Sequence, residues 1–134
     1  MDPLSHLAIT RVLLGPSQGV LLASLLPDLP FYATYPAWLV RNGLLQPALT
    51  TNIWPTAPAW MYVAHHASHS LPVVGLLMLV HRLRHRAWPP WGAAWALHIL
   101  VDIPTHSRRN WAPQFLWPLS AFTVDGVSWP EALL

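Results

Sequence analysis

The sequence has no cysteine, no lysine and few charges of either sign. Without cysteine, disulfides and thiolate metal sites are excluded, so a transition metal has to be held by imidazole and carboxylate. Only 9% of the 134 residues are charged, against about 25% in an average soluble domain, so water is not expected to be the only solvent. A formal charge of +2 is too small to point to nucleic acid. The N-terminus also lacks a secretory signal, since Met1–Asp2–Pro3 is not a basic start and the apolar segment after it carries His6 and Arg11. That segment is expected to remain in the mature protein.

What is abundant is apolar and aromatic. Hydrophobic residues make up 54% of the chain, with nine tryptophans. Trp54, Trp60, Trp88, Trp91, Trp111, Trp117 and Trp129 stand beside prolines or at the ends of apolar stretches, where membrane-interface aromatics collect. Helical stretches are expected over about 4–26, 59–83 and 91–103, the first divided at Gly15–Pro16, the second bent at Pro72 and the third ended by Pro104. The second is long enough to cross a hydrocarbon core of roughly 30 Å at about 1.5 Å per residue. Segments 27–58 and 111–134 read as interfacial, rich in proline and aromatics, with a short helix around Ala37–Asn42. The expected fold is therefore all-α: one domain over 1–134, a compact bundle of about three to four membrane-embedded helices with a Pro/Trp-rich interfacial loop. The run His81, Arg82, Arg84, His85, Arg86 favours a cytoplasmic loop, although Arg108 and Arg109 pull against that orientation.

The chemistry-bearing residues are histidines and aspartates at helical spacing. His98 and Asp102 are four apart, as are Asp102 and His106, and positions i and i+4 share a helix face. Pro104 is expected to end the helix before His106, leaving that side chain to reach back from the next turn. His65 and His69 repeat the spacing. Two such faces supply nitrogen and oxygen ligands for a divalent ion, with zinc first and manganese or iron as the other choices. Asp28 follows Leu25–Leu26–Pro27 at the end of an apolar stretch, where an unpaired carboxylate is expensive near lipid. His6 completes the set.

Each residue also has an ordinary reading. One histidine on an apolar helix is more often a hydrogen-bonded packing residue than a ligand; it is the number of them that argues otherwise. His81 and His85 read as interfacial residues, and His66 is balanced between the two readings. Asp2, followed by proline, reads as a helix N-cap, and Asp125 before Gly126 as a turn residue. Arg108 and Arg109 read as interface anchors, with phosphate recognition as the competing role.

The ordered set Ser5–His6, Leu25–Leu26–Pro27–Asp28, Ser68–His69–Ser70–Leu71 and His98–Ile–Leu–Val–Asp102–Ile–Pro–Thr–His106 resembles the predicted membrane-bound metal-dependent hydrolases of bacteria and archaea. The resemblance covers almost the whole chain, including Trp117–Pro118–Leu119–Ser120 and Asp125–Gly126–Val127–Ser128–Trp129 near its end. It departs where Pro27–Asp28–Leu29–Pro30 replaces Pro–Asp–x–Asp, removing a second carboxylate, and where Ala64 stands in place of an upstream histidine, with His65 and His66 beside it. It implies a prokaryotic inner-membrane protein with matching elements at His6, Asp28, His69 with Ser70, and His98 with Asp102; helical spacing adds His65 and His106 to the expected metal ligands.

The expected activity is hydrolysis of an ester or phosphoester by a metal-activated water. Asp28 and Ser70 are the catalytic candidates: Asp28 as base or further ligand, Ser70 as a contact to the substrate, alongside Arg108 or Arg109. The expected partners are membrane lipids, a lipid or phosphoester substrate, and further copies or a larger membrane complex; nucleic acid is not among them. The alternative is a non-catalytic accessory subunit of a membrane assembly, its histidines packing or ligating a haem or pigment.

Overall fold

The computed structural model describes residues 2–51, 56–108 and 111–127. Trp54, Arg109, Ser128 and Trp129 lie outside the described residues, as does the end of the tail from 130 to 134. Among the described residues the chain is helical with no strand. Its elements are α1 (Pro3–Leu14), α2 (Gln18–Ala23), α3 (Leu29–Arg41), α4 (Leu45–Thr51), α5 (Ala59–Ser68), α6 (Leu71–His85) and α7 (Pro90–Thr105).

Local chemistry explains most of the boundaries. Asp2 caps α1, its carboxylate accepting from the Ser5 amide at 3.0 Å and the Ser5 hydroxyl at 2.6 Å, with Pro3 in the first turn where its missing N–H costs nothing. The Ser5 hydroxyl holds the Asp2 carboxyl below its usual range. Gly15 takes φ +92°, in the left-handed region, and closes α1. As expected, Gly15–Pro16 divides the first stretch into two helices. The stretch expected to bend at Pro72 is also two helices, α5 and α6, inclined by 53°. The break falls at His69–Ser70, and Pro72 sits harmlessly in the first turn of α6.

Two expectations need correction. Segment 27–58, read as a loop with one short helix, instead forms α3 and α4. Pro30 is tolerated because it falls in the first turn of α3, and Pro36 lies inside that helix. Phe31, Tyr35 and Trp38, at spacings of four and three, stack in succession along the helix with ring centroids 5.0 and 5.8 Å apart, and this face packs on Ala57, Met61 and Trp111; such tertiary packing outweighs weak local propensity. With α1/α2 and α5/α6 each broken, the bundle of three to four helices becomes seven shorter segments among the described residues. As expected, α7 ends before His106, which is its C-cap, although the helix runs through Pro104 to Thr105.

Helix α7 runs against α1, α2 and α6, while α3 lies against α5. One apolar cluster joins Tyr35, Leu39, Ala57 and Met61; another joins Val20, Ala23 and Ala94, with Trp91 packed against it. Small residues let the elements approach closely. A Cβ on Gly92 would collide with the side chain of Met78, and one on Gly126 with the backbone of Pro104. The latter contact docks the C-terminal segment on the end of α7, where Gly126 N–H donates to the His106 carbonyl and Val127 N–H to the Pro104 carbonyl, each at 3.0 Å.

Polarity is distributed unusually. His6, Thr10, Ser24, His69, Ser70, His98 and Asp102 are buried, while Leu4, Val12, Leu83 and Leu119 are more than 70% exposed. No single described helix is long and apolar enough to cross a membrane; the bent pair α5–α6 meets that test of length and composition jointly.

Candidate metal centre

Three parts of the chain deliver four side chains to one buried point. Asp28 comes from the junction of α2 and α3, His69 from the break between α5 and α6, and His98 with Asp102 from one face of α7. The ligand atoms of Asp28, His69, His98 and Asp102 all lie within 4.8 Å of one another.

The α5–α6 break is what turns His69 inward, and its loose backbone groups are satisfied by tertiary partners, as a broken helix requires. The Ser68 carbonyl accepts from the indole N–H of Trp95 at 2.7 Å, and the Leu71 amide donates to the Phe115 carbonyl at 2.9 Å. The Ser68 hydroxyl donates to the Pro27 carbonyl at 2.7 Å, which ties the break to the segment that carries Asp28.

Both central imidazoles are oriented through their Nδ1 atoms. Nδ1 of His98 lies 2.6 Å from the Ser24 carbonyl, and Nδ1 of His69 lies 2.9 Å from the His65 carbonyl. A carbonyl only accepts, so each Nδ1 carries a proton, and in the neutral ring each Nε2 presents a lone pair to the centre. The two Nε2 atoms are 3.2 Å apart. From His69 Nε2 the distances are 3.3 Å to Asp28 Oδ1 and 3.4 Å to Asp102 Oδ2. From His98 Nε2 they are 3.7 and 3.0 Å to the same oxygens.

With both rings neutral, four acceptors converge with no donor among them. A proton on one ring can serve one of these contacts at a time, whereas a divalent cation serves all four and balances the two carboxylates. The separations fit as well. Ligands about 2.0–2.1 Å from a tetrahedral ion stand about 3.3 Å from one another, and the five distances above bracket that value. This buried group can hold a metal ion.

The other expected ligands surround it. His6 is stacked on His98, with ring centroids 3.7 Å apart and planes 16° apart, and its Nε2 lies 3.1 Å from Asp102 Oδ1. His106 Nδ1 lies 3.4 Å from the same oxygen. Asp102 thus turns one oxygen to the centre and the other to His6 and His106. His65 is buried but directed elsewhere: its Nε2 is 3.4 Å from the Trp111 carbonyl, and its part in the centre is played by its own carbonyl. Reading Ser70 as a catalytic contact is corrected. Its hydroxyl donates to the Trp117 carbonyl and accepts from the Val73 amide, so it caps α6 and is engaged in holding the fold.

Spacing could not have revealed the Ser24 and His65 carbonyls, since no residue type marks a backbone acceptor supplied by tertiary structure. Asp125, expected in a turn, lies in irregular chain and accepts from the Arg108 amide at 2.8 Å. His81 and His85 lie at the C-terminal end of α6 with ring centroids 4.4 Å apart and planes tilted by 38°, away from the centre. No family model, curated protein or solved structure matches this chain.

Proposed function

We propose that this chain is a membrane-embedded metal-dependent hydrolase acting on an ester or phosphoester, of the kind its motif order resembles. The observation that carries the reading is the convergence of two imidazole lone pairs and two carboxylate oxygens, the imidazoles set by carbonyls behind them. Zinc is the first choice for this mixed nitrogen and oxygen set, with manganese and iron next. A haem or pigment would ask for one histidine facing a large apolar cavity; here two histidines face carboxylates at contact distance, which favours a compact ion.

His69, His98 and Asp102, the most deeply buried members, are assigned to holding the ion. An ion bound there supplies acidity to a water molecule and polarises the ester or phosphoryl oxygen. Asp28 is assigned to the proton. Its Oδ1 faces the two imidazoles, while its Oδ2 has no hydrogen-bond partner among the described residues and is free to accept a proton from the attacking water. With its side chain 15% exposed against 1% for Asp102, Asp28 is also the carboxylate nearer to an entering substrate.

The bilayer as surroundings is supported by the inverted polarity of the fold, since large exposed apolar surface on a soluble monomer is uncommon and intramembrane carboxylates and histidines mark functional sites by default. The test is turnover by purified protein in detergent, supplied with zinc or manganese, on p-nitrophenyl phosphate, p-nitrophenyl acetate and short-chain phospholipids. Metal-dependent release that is lost in Asp28→Asn and His98→Ala is expected; release that persists in both variants, or none on any ester, contradicts the reading.

A further inference from the structure

Beside the centre lies a cleft that none of the assignments above uses. It has a volume of about 360 Å³ and is lined by Tyr62, His66, Arg108, Trp111, Ala112 and Thr123, a size within the usual range for small-molecule sites. We propose that this cleft binds a phosphate group and holds its ester beside the metal-type centre; the second half of that statement rests on the hydrolase reading, the first does not.

Three observations carry it. The wall is aromatic and fixed: Trp111 stacks on Tyr62 with centroids 4.3 Å apart and planes 14° apart, and is braced edge-on by Phe31 at 4.6 Å. Opposite in character is Arg108, whose guanidinium is steadied by one bond of 3.2 Å to the Thr123 carbonyl. A guanidinium has five donors in a planar fork, so one anchoring bond leaves a fork for two oxygens of an anion. No carboxylate is among the lining residues.

The third observation is His66. It lines the cleft, and its Nδ1 is buried with no hydrogen-bond partner among the described residues. A buried polar atom of this kind ordinarily has a partner, and a ligand oxygen would supply one. Arg108, His66 and the Tyr62 hydroxyl together present donors from several side chains, which suits a tetrahedral phosphate with its several oxygens better than a planar carboxylate. The apolar part of the ester then has Trp111 and Tyr62 to lie against. His65 connects the cleft to the centre, its ring 5.4 Å from that of Trp111 and 4.0 Å from that of His69.

Isothermal titration calorimetry with phenyl phosphate tests the cleft. The protein is first treated with EDTA, so that no heat comes from a metal ion, and benzoate is titrated as the planar comparison. Saturable binding at one site per chain is expected, stronger than that of benzoate, and weakened about tenfold or more in Arg108→Gln, the loss of a charge-assisted bond. Arg11→Gln, in α1 and not among the lining residues, should bind as the unaltered protein does. The same weakening is expected in His66→Ala, which keeps the test decisive should Arg108→Gln not fold. Absence of saturable binding, or equal affinity in the folded variants, overturns the proposal.

Repeating the titration in phosphatidylcholine nanodiscs with and without phosphatidic acid tells the two sources of phosphate apart. Competition by phosphatidic acid assigns the cleft to a lipid headgroup; unaltered phenyl phosphate binding assigns it to a soluble phosphomonoester. Because the metal is absent throughout, failure here leaves the metal centre standing, and failure of metal binding leaves the cleft standing.

Discussion

At the scale of single residues, the histidines divide by what their second nitrogen does. His69 and His98 spend Nδ1 on backbone carbonyls and aim Nε2 at the centre. His6 lies flat on His98 and meets the outer oxygen of Asp102, so it acts through Asp102 and is a positioning residue. Partners of this kind typically contribute tenfold to a hundredfold in metal affinity. His6→Phe keeps the stacked ring and removes the nitrogen. It is expected to weaken zinc binding by about tenfold to a hundredfold, measured by competition with a chromogenic chelator; unchanged affinity would show that His6 only packs. The spacing of His98 and Asp102 made their shared face legible in the sequence, because a helix fixes i and i+4 on one side. The same rule misled at His65, whose partner at that spacing is reached by the His65 carbonyl and not by its ring.

Helices are the next scale, and here the breaks matter more than the runs. Gly15–Pro16 announced one of them and Asp2–Pro3 the start of α1; Pro72, expected to bend the second stretch, sits in the first turn of α6, and the break falls before it at His69–Ser70. The aromatic helix α3 was not legible, because proline at two positions masks a pattern that only stacking against α5 and Trp111 sustains. The α5–α6 break turns His69 into the bundle, and Ser70 fastens it. Replacing Ser70 by alanine removes the cap of α6 and orphans the Trp117 carbonyl, for a combined loss of about 1–3 kcal/mol. A lower thermal midpoint with metal content retained is expected in Ser70→Ala. Lost turnover at unaltered stability would instead return Ser70 to a catalytic role.

For the whole molecule, the distribution of polarity governs. Buried polar residues gather around Asp102, and leucine and valine occupy much of the outside. Composition alone made the all-α, low-charge character legible. The number of segments was not, because the α5–α6 break is held by distant carbonyls and amides and α3 by packing on α5 and Trp111. A fold with apolar flanks and a polar interior should partition into lipid. After expression, the chain is expected in the membrane pellet following alkaline carbonate extraction; release into the supernatant would contradict embedding and leave the metal site to be explained in water.

The central claim is that the four converging groups form one metal site, His69, His98 and Asp102 holding the ion and Asp28 facing the water. Inductively coupled plasma mass spectrometry on detergent-purified protein, beside a folded Asp102→Ala variant, tests it most directly. About one zinc, manganese or iron ion per chain in the unaltered protein and none in the variant is the expected result, a single tetrahedral site being all that the donor set provides. A folded, metal-supplemented sample without stoichiometric metal, or a variant that retains it, would contradict the account.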